Sequence, residues 1–116
     1  MSWWGRRRRR DVPLQKGRMD GPGMAVDSDA VRDHLKAFVA SRRGVEAFVE
    51  PPTNVTATTV VLIAHDGEWT RRAVASREAA FELPRALGIP VYDVNQTGYP
   101  SRMREWNSQQ RKGSGQ

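Results

Sequence analysis

The chain has 116 residues, with 19 Lys and Arg against 13 Asp and Glu and no cysteine. A chain of that length makes one domain, and without cysteine it has no disulfide, no thiolate catalysis and no Cys-ligated zinc or iron–sulfur cluster. Its longest strongly apolar run, Val60 to Ala64, is far short of the roughly 20 residues a membrane-spanning helix needs.

The charge is segregated. Residues 1–24 hold seven Lys or Arg against two acids, residues 25–95 eight against ten, and residues 96–116 four against one. A mildly acidic middle between basic ends is the pattern of a small folded body with electrostatic tethers. Arginine outnumbers lysine 16 to 3. A GC-rich genome explains that ratio through its codons, but codon usage does not explain clustering at the ends.

Residues 1–26 read as a disordered basic tail. It opens with Trp3-Trp4-Gly5 and the run Arg6-Arg7-Arg8-Arg9-Arg10, and it closes on the breaker cluster Asp20-Gly21-Pro22-Gly23. Met19 and Met24 offer later translation starts than Met1. No apolar stretch follows the arginines, so the segment does not read as a Sec or twin-arginine signal.

A single domain is expected over residues 27–107. Ser28 or Asp27 caps a first helix with Asp29 and Asp33 in its opening turns. Val31, Leu35, Phe38 and Val39 form its apolar stripe, and Gly44 supplies a left-handed stop. Val45 to Glu50 alternates as a short strand that Pro51-Pro52 ends. Thr58 to Ala64 is β-branched and continuous enough for a central strand buried on both faces. Asp66-Gly67 predicts a two-residue hairpin loop. In that register Ala64 faces Trp69 and Leu62 faces Arg71, and Trp69 joins Val60, Leu62 and Ala64 in one core.

Ser76 caps a second helix. Pro84 inside it removes one hydrogen bond and clashes with the preceding turn, which predicts a kink near Ala80 to Leu83 or a break. Gly88-Ile89-Pro90 ends it, and Val91 to Val94 is a last strand. A short helix follows from Ser101 to about Gln110, with Tyr99, Met103 and Trp106 on one face. Residues 108–116 read as a second tail. The order α-β-β-β-α-β-(α) gives an α+β fold, a small two-layer sandwich with two helices on one face of a mixed sheet and a right-handed crossover into the last strand.

Four segments are similar to a family of small uncharacterised actinobacterial proteins: Gly44 to Pro51, Ile63 to Arg72, Leu87 to Val94 and Gly98 to Arg104. The Trp-Trp-Arg-rich start also resembles that family. The resemblance covers about half the chain. Some members carry the label "oxidoreductase", but the chain has no cysteine pair, Gly-x-Gly-x-x-Gly or phosphate loop to support it. The resemblance assigns no functional residue.

Three constellations carry chemistry. His65, Asp66 and Glu68 meet at the hairpin tip. A metal reading adds Asp93 or His34 as a third ligand, but neighbours on an extended chain point to opposite faces, so no metal is expected. A catalytic reading makes His65 a base oriented by Asp93, with the site near the hairpin tip. It lacks a nucleophile, an oxyanion loop and a cofactor cradle. No cofactor is expected, and the balance lies against an enzyme.

The third constellation is cationic. Arg6, Arg7, Arg8, Arg9 and Arg10, together with Arg102 and Arg104, are the candidate nucleic-acid-binding residues, because guanidiniums hold phosphates while nearby aromatics stack on bases. The expectation is a non-catalytic adaptor on RNA, a ribosome or DNA in the cytoplasm. The alternative partner is an anionic membrane surface reached through Trp3-Trp4.

Overall fold

The structure is a computed structural model that describes residues 26–114. Trp3-Trp4 and Arg6 to Arg10 lie outside the described residues. The fold is α+β: a four-stranded mixed sheet with helices.

Helix α1 spans Ser28–Ser41. Asp27 is its cap, the carboxylate accepting from the Ala30 amide at 3.0 Å, which satisfies one of the amides that a helix start leaves unpaired. Val31, Leu35 and Phe38 are buried, one stripe at helical spacing. Strands β1 (Glu46–Glu50), β2 (Thr59–Ile63) and β3 (Trp69–Ala73) follow. Helix α2 is Arg77–Ala86, β4 is Val91–Asp93, the single turn α3 is Val94–Thr97 and α4 is Ser101–Ser114. The strand order is β3-β2-β1-β4. β1 is antiparallel to β2 and parallel to β4, and β2 is antiparallel to β3.

β2 is central and buried on both faces, as its unbroken β-branched run requires. Val60 and Leu62 join Ala47, Val49 and Val74 under α1 and α2, where Leu35 and Ala80 are fully buried. Val61 and Ile63 face the other way, with Phe48, and Met103 of α4 closes over them. The two-layer body is therefore extended by α4, which covers the face opposite α1 and α2.

The hairpin corrects the expected register. Ile63 faces Trp69 and Val61 faces Arg71. The loop has three residues, His65-Asp66-Gly67, between Ala64 and Glu68, with the Ala64 amide donating to the Glu68 carbonyl at 2.8 Å. Gly67 takes φ +95°, the left-handed third position that such loops use. Asp-Gly fits either loop length, and the one-residue difference turns every β3 side chain over. Trp69 consequently packs with Phe48, Ile63 and Met103 rather than with Val60 and Leu62.

Three further expectations are revised. α2 is continuous through Pro84. The proline stands three positions from the helix end, is fully buried and forfeits only the bond to the Ala80 carbonyl. The residues read as a terminal tail are helical as far as Ser114. Gln109, Gln110, Arg111 and Lys112 are good helix formers, and two of them place positive charge at the negative end of the dipole. Val94 begins α3 rather than ending a strand, because Asp93 caps that turn, accepting from the Asn95 amide at 2.8 Å.

Gly67 also fixes where α4 sits. A Cβ there would lie 2.0 Å from the Arg102 carbonyl oxygen and 2.9 Å from the Trp106 Cβ, whereas at Gly88, with φ +78°, it would meet nothing within 4 Å. Gly67→Ala should therefore destabilise by about 1–3 kcal/mol more than Gly88→Ala, since both share the backbone cost and only the first overpacks. Urea unfolding of the two variants measures the difference, and equal losses would contradict the close approach.

Candidate functional site

The sheet has a hollow at each end. One lies at the hairpin tip, about 640 Å³, lined by Ser41, Arg42, Arg43, Ala64, His65, Asp66 and Glu68. Arg42 holds Glu68 with a two-pronged contact at 3.3 and 2.6 Å, and its guanidinium lies 4.3 Å over the Phe38 ring. The hydrogen bond to Glu68 is the main cause that raises the Arg42 pKa further. Asp66 accepts from the Glu68 amide at 3.0 Å, a turn contact. His65 is exposed, and its amide donates to the Arg43 carbonyl at 2.8 Å.

His65 and Asp93 do not meet. Asp93 stands beside Val49 near the end of β1, whereas His65 follows Ile63, which is paired with Glu46 at the start of β1. The two residues occupy opposite ends of the sheet. Asp93 is engaged by Arg77 at 2.9 Å. That bond, with the Asn95 amide, holds its carboxyl below the ordinary value.

His34 is also elsewhere. Its Nε2 lies 2.7 Å from the Thr70 hydroxyl. Its pKa is lowered by burial and then by the charges of Arg72 and Arg42. Among the described residues no group of three or more His, Asp or Glu is arranged to hold a metal.

The second hollow, about 570 Å³, opens beside the last residue of β1 and is bordered by Glu50, Thr59, Arg71, Asn95 and Tyr99. Sequence reading did not single out this cluster. Arg71 Nε and Nη2 donate to the two Glu50 oxygens at 2.8 and 3.0 Å, and the Thr59 and Tyr99 hydroxyls donate to the same carboxylate. Burial pushes the Glu50 carboxyl up, but the bonds from Arg71, Thr59 and Tyr99 outweigh it and hold the value below the ordinary one. Tyr99 is raised, by burial first and then by its bond to Glu50. Arg71 is raised chiefly by Glu50. The only sequence signal was alternation: once the hairpin register is right, Glu50, Thr59 and Arg71 all fall on one face.

The candidate arginines divide. Arg6 to Arg10 lie outside the described residues. Arg102 is half-buried, and its guanidinium is engaged within the body. Its Nε donates to the Ala64 carbonyl at 2.9 Å and its Nη2 to Glu46 at 2.7 Å. Arg104 is exposed, and no carboxylate among the described residues pairs with it.

Comparison with protein-family models, with curated proteins and with solved structures returned no match.

The Glu50 cluster has a pH consequence. Its folded pKa is depressed, so its stabilisation is fully present above the ordinary value of 4.5 and is lost as pH falls through the lower folded value. Denaturant unfolding across acid pH should show a shallower decline below about pH 4.5 for Glu50→Gln than for the parent chain. Parallel declines would contradict the assignment.

Proposed function

We propose that the protein is a non-catalytic adaptor that binds a polyanion, RNA, DNA or the ribosome, through cations at its two ends, in the cytoplasm and without a cofactor. One observation carries this reading. The carboxylates that hold the body together each take an arginine from another element: Glu46 with Arg102, Glu50 with Arg71, Glu68 with Arg42 and Asp93 with Arg77. The body's charge is thus largely cancelled internally. Arg104 and Arg111 stand exposed on α4 with no ion-pair partner among the described residues. They are seven positions apart, about two turns, and so share one outward stripe. The arginine run at the other end adds five more charges.

No helix among the described residues is long and apolar enough to cross a membrane.

The test is salt dependence. Binding of a fluorescent single-stranded oligonucleotide across a potassium chloride series should lose a log–log slope of about 3.5 when Arg6 to Arg10 become alanine, from five phosphate contacts. Arg104→Ala with Arg111→Ala should remove about 1.4 more. Arg102→Ala should leave the slope alone and lower the melting temperature instead. An unchanged slope in the tail variant overturns the proposal. Binding to anionic vesicles in preference to the oligonucleotide, abolished by Trp3→Ala with Trp4→Ala, would replace it with a membrane partner.

A further inference from the structure

An adaptor needs a second surface, and the sheet supplies one at its β3 edge. β3 is an end strand. The Ala64 amide bonds the Glu68 carbonyl, and the Val74 amide bonds the Thr58 carbonyl. Antiparallel hydrogen-bonded pairs recur at every second residue, so Thr70 and Arg72 turn their backbone groups toward β2. Trp69, Arg71 and Ala73 turn theirs outward, where they have no backbone partner among the described residues. Five residues in extended form offer three amides and three carbonyls to an incoming strand.

The chemistry beside that edge selects the strand. Arg72 is exposed and has no carboxylate partner among the described residues. Its Nη1 folds back onto the outward Arg71 carbonyl at 2.7 Å and reaches more weakly to the Thr70 hydroxyl at 3.3 Å, while its Nη2 lies 3.4 Å from His34 Nδ1. A guanidinium held by a carbonyl, a hydroxyl and a neutral imidazole gains when a carboxylate replaces them, because charge-assisted bonds are the stronger kind. A second copy of the chain fits poorly: antiparallel pairing centred on Arg71 sets arginine against arginine, and like charges directly opposite each other destabilise a sheet.

We propose that the outer edge of β3 is a docking site for an extended acidic peptide segment of a protein partner, added as a fifth strand. Its main chain bonds Trp69, Arg71 and Ala73, and one of its carboxylates draws Arg72 off the Arg71 carbonyl. The edge is then open while the charge that covered it is neutralised. Arg72 thus guards the free protein against indiscriminate edge pairing and also selects the partner. This surface is separate from the ends that hold the polyanion, so it stands or falls without the oligonucleotide result.

The probe is a blocked synthetic peptide of alternating Glu and Val, titrated into the full chain and followed by backbone amide NMR. The expected result is that the Trp69, Arg71 and Ala73 amides shift together and gain protection from exchange, while a peptide of alternating Lys and Val moves none of them. Ala73→Pro removes an outward donor and no bond to β2, and should weaken binding about tenfold, the worth of one good backbone bond. Arg72→Glu alters only an exposed side chain and should reverse the preference toward the Lys peptide, which decides the matter even if the proline variant folds badly. Three outcomes overturn the proposal: no shift of those three amides at millimolar Glu peptide, a preference that Arg72→Glu leaves unchanged, or dimerisation of the free chain through β3.

Discussion

β2 has no polar side. Val60 and Leu62 look one way and Val61 and Ile63 the other, and all four are fully buried. A strand of that kind is stable only if both sides of the sheet are covered, and the rest of the chain is arranged around this demand. The amphipathic α1 and α2 meet it on one side with Leu35, Phe38 and Ala80. On the other side the cover is thinner: α4 offers Met103 as its one buried apolar residue and makes up the remainder with polar contacts. Arg102 binds Glu46 and the Ala64 carbonyl, and Asn107 accepts from the Trp69 indole at 2.8 Å. Just ahead of the helix, Tyr99 closes on Glu50.

That division explains the electrostatics. An element that docks through side-chain hydrogen bonds needs charges in the right places, and four arginine–carboxylate pairs link elements far apart in sequence. Exposed pairs of this kind contribute little individually, but they fix which way α4 and the hairpin face. They also use up cations that a reading of the sequence alone would have counted as free, Arg102 above all. Among the described residues, the cations left without a carboxylate include Arg104 and Arg111 on α4 and Arg72 on β3.

The elements were legible where local chemistry and burial agreed. Asp27 and the stripe Val31-Leu35-Phe38 mark α1, and the β-branched run marks β2; the helix stops at Ser41 with Arg42 extended, so Gly44, although at φ +61°, is not its stop. The hairpin register was not legible, because His65-Asp66-Gly67 satisfies two loop lengths equally well at the level of turn residues. Only the competition for Trp69 between the two faces decides it, and that competition is tertiary. The Glu50 cluster was hidden for the same reason, since three of its members come from three different strands. Pro84 does not break α2: it is fully buried and stands third from the helix end, where one missing amide costs little. Asp93, the partner of His65 in the catalytic reading, is instead the cap of the turn after it.

β1 pairs with β4 across more than forty residues of sequence, Ala47 beside Val91, and the helix that shields Phe48, Val61 and Ile63 comes later still. On a ribosome these three side chains emerge well before anything exists to hide them. The growing polypeptide therefore carries an oily, half-built sheet for much of its synthesis, the situation in which nascent chains rely on chaperones.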